Sequence, residues 1–132
     1  MTLPFPLTAV LADDESHLRL FLNTMLTSLG FRVLAAAANG GEAVALYRVH
    51  RPDVLFLDIN MPRMTGREAL QMIRREFPDA FIIMLTSVTG ADEVEASLDA
   101  GAANYLRKDL PLPELRQEII ETCIGHFSGP RQ

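Results

Sequence analysis

Asp13, Asp14 and Glu15 follow the run "LTAVLA", Asp58 follows "VLFL", Thr86 and Ser87 follow "AFIIML", and Lys108 follows "ANYLR". Each polar group stands where an apolar run stops. Asp58 is the least expected, because Asp is seldom buried unless it is paired or bound. Brought together, Asp13, Asp14 and Asp58 repel, and one of them should resist ionisation. A divalent cation removes that conflict, and all-oxygen ligands with retained waters suit Mg2+. Lys108 adds a movable positive charge, and Thr86 adds a hydroxyl that can donate to an oxyanion. A carboxylate in that company is placed to attack phosphorus, with an aspartyl phosphate as the covalent product. The cation and Lys108 would neutralise charge on the transferring group. Capping of the next helix is the plainer use of strand-end Asp, Ser and Thr. Taken alone, it suits Thr86–Ser87 better and Asp13–Asp14 about as well. It explains neither the helix-free loop after Asp58 nor four groups converging at one edge.

The elements that position these residues alternate along the chain. "LTAVLA" (7–12), "FRVLAAA" (31–37), "DVLFL" (53–57), "AFIIML" (80–85) and "ANYLR" (103–107) read as strands. Between the first two, Leu18, Phe21, Leu22, Met25, Leu26 and Leu29 recur at helical spacing and stop at Gly30. Asn39 caps a helix to residue 50. Residues 66–77 carry Leu70, Ile73 and Phe77 in one stripe, residues 90–100 form a short acidic helix, and Pro111 and Pro113 open a last helix over 111–126. The first, third and fourth strands are apolar on both faces, so both faces are covered. That pattern predicts an α/β fold: a doubly wound, flavodoxin-like parallel sheet of five strands in the order 2-1-3-4-5. Ligands of such sheets bind beyond the carboxyl ends at the switch point between the first and third strands.

The 132 residues suit one domain, 48% hydrophobic, with a formal charge of −5. That charge argues against direct nucleic-acid binding. No apolar run approaches membrane-spanning length and the N-terminus carries no secretory signal, so a cytoplasmic protein with no membrane partner is expected. The single cysteine, Cys123, excludes an internal disulfide and reads as a packing residue. His17, His50 and His126 read as surface positions, and Asp92, Glu93, Glu95 and Asp99 as a solvated helix face. Arg74–Arg75 is too short for a nucleic-acid patch. On the last helix, Leu112, Leu115 and Ile119 form one apolar stripe and Ile120, Ile124 and Phe127 a second. That wide face predicts contact with a partner or a homodimer through this helix.

The motifs "VLADDE", "FLDINMPRMTG", "MLTS" and "GAANYLRKD", in this order and spacing, resemble the receiver domain of bacterial two-component response regulators. The resemblance spans about residues 7–125. It implies an N-terminal arm (1–6), a receiver domain (7–126) and a C-terminal tail or linker stub (127–132). It implies Asp58 as phosphoacceptor, Asp14 as a direct Mg2+ ligand with Asp13 supporting it partly through water, and the Asn60 backbone carbonyl as a further ligand; Mn2+ is expected to substitute. Thr86 and Lys108 would hold the phosphoryl oxygens, and Tyr105 would be the aromatic that turns inward on activation. The implied donor is a sensor histidine kinase or a histidine phosphotransfer protein. The implied output is a change in the face made by the fourth helix, fifth strand and last helix, read by a downstream effector protein or domain. The module would be a signalling switch that catalyses only its own phosphorylation and autodephosphorylation. One position departs from the family: Asp109 stands where Pro usually follows the lysine. A cis bond before a non-proline costs ~2.5–4 kcal/mol, so a trans bond is expected, with Asp109 competing for Lys108. Asn60 and Val88 flank the site and are expected to tune water access.

Three other readings meet obstacles in the residues themselves. A haloacid-dehalogenase-type phosphatase needs a second Asp where Asn60 stands. A flavodoxin-like nucleotide binder needs a phosphate loop where the acidic "ADDES" stands. A degenerate receiver acting only as an interaction module is the third; intact Asp13, Asp14, Asp58, Thr86 and Lys108 oppose it, and Asp109 leaves it open.

Overall fold

The structure, a computed structural model, describes residues 2–87 and 90–127. Val88 and the tail from residue 128 lie outside the described residues. The strands are β1 (Leu7–Ala12), β2 (Phe31–Ala37), β3 (Val54–Leu57), β4 (Ile82–Thr86) and β5 (Asn104–Arg107). They pair in parallel in the order β2-β1-β3-β4-β5, as the alternation implies. The helices are α1 (Ser16–Leu29), α2 (Gly40–His50), α3 (Gly66–Glu76), α4 (Ala91–Asp99) and α5 (Leu112–Phe127).

Every residue of β3 and β4 is buried, because successive side chains point to opposite faces and each face has its own core. Phe56 joins Leu22, Leu26 and Leu29 of α1 and Leu115, Ile119 and Cys123 of α5. Its neighbours Leu55 and Leu57 join Val44 and Tyr47 of α2 and Leu70 and Ile73 of α3. The rings of Phe31 and Phe56 meet edge to face at 5.5 Å.

Helix ends follow local chemistry. The Gly30 backbone adopts φ 108°, and its N–H closes α1 onto Leu26 and Thr27. Asn39 caps α2 by accepting from the Glu42 N–H at 2.9 Å. Thr65 and Glu68 cap α3 reciprocally.

Element ends shift by a residue or two from the expected spans, and α5 runs to Phe127. β4 begins at Ile82 rather than residue 80, since the Ala80 N–H turns back to the Phe77 carbonyl at 3.0 Å. The N-terminal arm is tied down: the Leu3 N–H donates to the Leu29 carbonyl at 2.7 Å, and Leu3 and Phe5 pack on the core. The surplus apolar face of α5 is largely used within the domain. Leu115, Ile119, Ile120 and Phe127 are buried and Ile124 is half-buried, which leaves Leu112 as the exposed member of the two stripes.

Candidate functional site

The carboxyl ends of β1, β3, β4 and β5 bring the chemically capable side chains to one edge. Asp13 leaves β1 fully buried, and Asp58 leaves β3 at 3% exposure. Register places them side by side, since the Asp58 N–H donates to the Ala12 carbonyl at 3.0 Å. Lys108 follows β5, and its N–H donates to the Thr86 carbonyl at 3.0 Å. Its ammonium reaches back to Asp13 Oδ2 at 2.7 Å and Asp58 Oδ2 at 3.2 Å. The Thr86 side chain, also fully buried, hydrogen-bonds to the Asp58 carboxylate.

The charges follow from this packing. Burial pushes the Asp58 carboxyl above its ordinary value, the Thr86 hydrogen bond and Lys108 draw it back, and Asp13 adds a smaller upward push. Repulsion from Asp13 thus acts on Asp58 but is secondary to desolvation. Burial also works against the Lys108 ammonium, yet the hydrogen bond to Asp13 and the charges of Asp58 and Asp13 outweigh it and hold its pKa above the ordinary lysine value.

Among the described residues, Asp58 Oδ1 is buried without a hydrogen-bond partner. A bare carboxylate oxygen in that position is costly unless something charged meets it. Asp13, Asp14 and Asp58 each offer an oxygen, all within 4.8 Å of one another, with Asp14 on the solvent side. Three carboxylates with one exposed member suit a hard divalent cation that keeps some of its water.

The loop leaving Asp58 is shaped for that edge. The Gly66 N–H donates to the Ile59 carbonyl at 2.9 Å, and a Cβ at position 66 would run into the Asp58 carbonyl oxygen. The glycine that closes "MPRMTG" therefore lets the chain fold back beneath Asp58.

The family model of the response regulator receiver domain matches residues 9–120. This chain belongs to that family. The receiver domain is 37% identical over 124 residues to the transcriptional regulatory protein PdtaR of Mycobacterium tuberculosis, covering 92% of this chain and 58% of PdtaR. It thus spans less than two thirds of that relative. It is 33% identical over 113 residues to the chemotaxis protein CheY of Bacillus subtilis, covering 86% of this chain and 94% of CheY. A chain in the crystal structure of the CheX–CheY–BeF3–Mg2+ complex from Borrelia burgdorferi superposes with a TM-score of 0.82 at 30% identity, covering 95% of this chain and 90% of that one.

Within the receiver domain, Asp13, Asp14, Asp58, Thr86 and Lys108 converge as the sequence suggests. Asn60 is exposed in the loop after β3. Tyr105 lies half-buried on β5; burial, then Glu93 and Asp58, hold its phenol above the ordinary value. Asp13 also serves locally, since its Oδ1 accepts the Glu15 N–H at 3.0 Å at the start of α1. Thr86 and Ser87 do not cap α4, whose N-cap is Gly90.

Asp109 does not compete for Lys108. Arg107 takes it through two hydrogen bonds, Nε to Oδ1 at 2.9 Å and an Nη to Oδ2 at 2.8 Å. No described peptide bond is cis. Nor is Glu93 part of a solvated face, for Arg67 holds it at 2.8 Å with its side chain 21% exposed. His17, His50 and His126 are exposed, though His126 stacks on Phe81 at 4.2 Å. Neither Arg pairing is visible as a motif. A simpler signal was available: Lys108 is the only lysine among the 132 residues, every other basic side chain of that size being arginine.

Proposed function

We propose that this receiver domain is a phosphorylation-operated switch with Asp58 as its phosphoacceptor. The supporting observation is the buried Oδ1 of Asp58 at the end of β3, without a partner among the described residues and set among Asp13, Asp14, Thr86 and Lys108. The donor is a phosphohistidine of a sensor kinase or phosphotransfer protein. An Asp58 oxygen bonds to phosphorus as the P–N bond breaks, and the electron pair of that bond stays on the imidazole. With acetyl phosphate the breaking bond is P–O and acetate leaves. Water later cleaves the aspartyl phosphate to carboxylate and inorganic phosphate.

Lys108 already points its ammonium at Asp58, so the same group can follow the negative charge onto a phosphoryl oxygen. The Thr86 hydroxyl can donate to another. Asp13, Asp14 and Asp58, with the Asn60 backbone carbonyl, would hold Mg2+, with Mn2+ as a substitute, and such an ion supplies positive charge against the phosphoryl oxygens. The BeF3 and Mg2+ named for the Borrelia complex support this reading.

Thr86 drawn toward phosphate leaves room for Tyr105 to turn inward, and the face of α4, β5 and α5 changes for an effector to read. α4 suits a moving part, since Ser97 is the one buried residue among its described side chains. The rival of an interaction-only receiver loses its main support, because Asp109 is engaged by Arg107 and leaves Lys108 at the site.

Intact-protein mass after incubation with acetyl phosphate tests the reading. One phosphoryl group should add to the wild type with Mg2+, and none to Asp58→Asn or to wild type with a chelator. Equal addition to Asp58→Asn would overturn it.

A further inference from the structure

Residues 107–110 form a tight turn at the rim of the site. The Leu110 N–H donates to the Arg107 carbonyl at 3.3 Å, so Lys108 and Asp109 are its central residues. Their side chains part company. Lys108 turns inward with its side chain 9% exposed, while Arg107 and Asp109 stay outside at 52% and 61%. The outer two grip each other through a two-point hydrogen bond across the residue between them. A fork-to-fork pairing of guanidinium and carboxylate fixes orientation as well as distance. It ties the first turn residue to the third, the two positions that flank the Lys108 backbone.

We propose that Arg107 and Asp109 are positioning residues, a clamp that holds the turn so that the one lysine of the chain delivers its ammonium between Asp13 and Asp58. The clamp also occupies the one carboxylate in the turn that could draw the ammonium outward. Exposed ion pairs add little to global stability, so the effect belongs to the aim of Lys108 rather than to folding. The kinetic part of this proposal rests on Asp58 as phosphoacceptor; the placement of the ammonium does not.

Three variants test it: Arg107→Gln, Asp109→Asn, and the exchanged pair Arg107→Asp with Asp109→Arg. The first readout is the rate at which an amine-specific acetylating reagent modifies Lys108 in the metal-free protein, followed by peptide mass and separable from the N-terminal amine. The second is the phosphorylation rate constant with saturating acetyl phosphate and Mg2+. A clamp predicts that both single variants acetylate Lys108 several-fold faster and take phosphate several-fold more slowly, and that the exchanged pair returns toward wild type on both. Simple charge acting on an anionic donor predicts opposite shifts in phosphorylation for the two single variants. That pattern, or unchanged Lys108 acetylation in either single variant, would overturn the proposal. If wild type takes no phosphoryl group while the acetylation pattern holds, the clamp stands and the phosphoacceptor reading falls.

Discussion

At Asp58, burial and partners pull in opposite directions, and the balance makes a pH prediction. Its folded pKa is raised above the ordinary 3.8, chiefly by desolvation, against Thr86 and Lys108. A raised carboxyl pKa favours folding while the proton is on. That contribution is complete below the unfolded value and is lost as pH rises through the folded one. Metal-free Asp58→Asn should therefore be more stable than wild type at neutral pH, by roughly 1 kcal/mol or more for an unmatched buried oxygen. The gap should shrink as pH falls toward 4, and thermal unfolding across pH reads it. Lys108 has the opposite consequence. Its raised pKa keeps its contribution through neutral pH and gives it up only above the ordinary 10.5. Lys108→Ala leaves Asp13 and Asp58 buried without their cation, a loss of about 3–5 kcal/mol for a broken buried pair. Mg2+ should recover more stability in that variant than in wild type, as shown by unfolding midpoints with and without the ion.

At the scale of elements, the loop between β3 and α3 is tightly constrained at Gly66. Gly66→Ala would press a methyl group into the Asp58 carbonyl, so the strand end or the start of α3 must move. A cost of about 1–3 kcal/mol is expected from such overpacking, together with slower phosphorylation, because Asp58 moves with its carbonyl. Denaturant unfolding and the acetyl phosphate rate measure the two effects separately. The same loop shows what a sequence reveals of an element. β3 is legible because Val54 to Leu57 are apolar without interruption, and the helix start is marked by Thr65 and Glu68. The Arg107–Asp109 clamp is not legible, because whether residues two apart in a turn face each other depends on backbone angles that spacing alone does not encode. Arg67 and Glu93, 26 positions apart, meet only because α3 and α4 are brought near each other.

Across the whole molecule, the sheet separates two cores, and Phe56 anchors the one shared by α1 and α5. Phe56→Ala should lose about 3–5 kcal/mol in denaturant unfolding while leaving the site's charges in place. The sheet order followed from strands apolar on both faces, and the convergence of Asp13, Asp58, Thr86 and Lys108 followed from that order. The wide apolar face of α5 has neighbours within the domain. A helix packed against both β5 and α1 buries two adjacent stripes, so Ile120 and Phe127, the latter edge-on to Phe81 at 5.1 Å, face inward. The width of that face reflects internal neighbours, with Leu112 left exposed. The tethered arm escaped notice because its hold is a backbone bond from Leu3 to Leu29, which no side-chain pattern announces.

The most direct test of the central claim is the location of the phosphoryl group. Wild-type protein treated with acetyl phosphate and Mg2+ would be reduced with borohydride, which converts an aspartyl phosphate to homoserine, and then mapped by peptide mass. Homoserine at position 58, absent when Mg2+ is chelated, is the predicted result. Homoserine at Asp13 or Asp14, or none at any aspartate while the protein retains its fold, would contradict it.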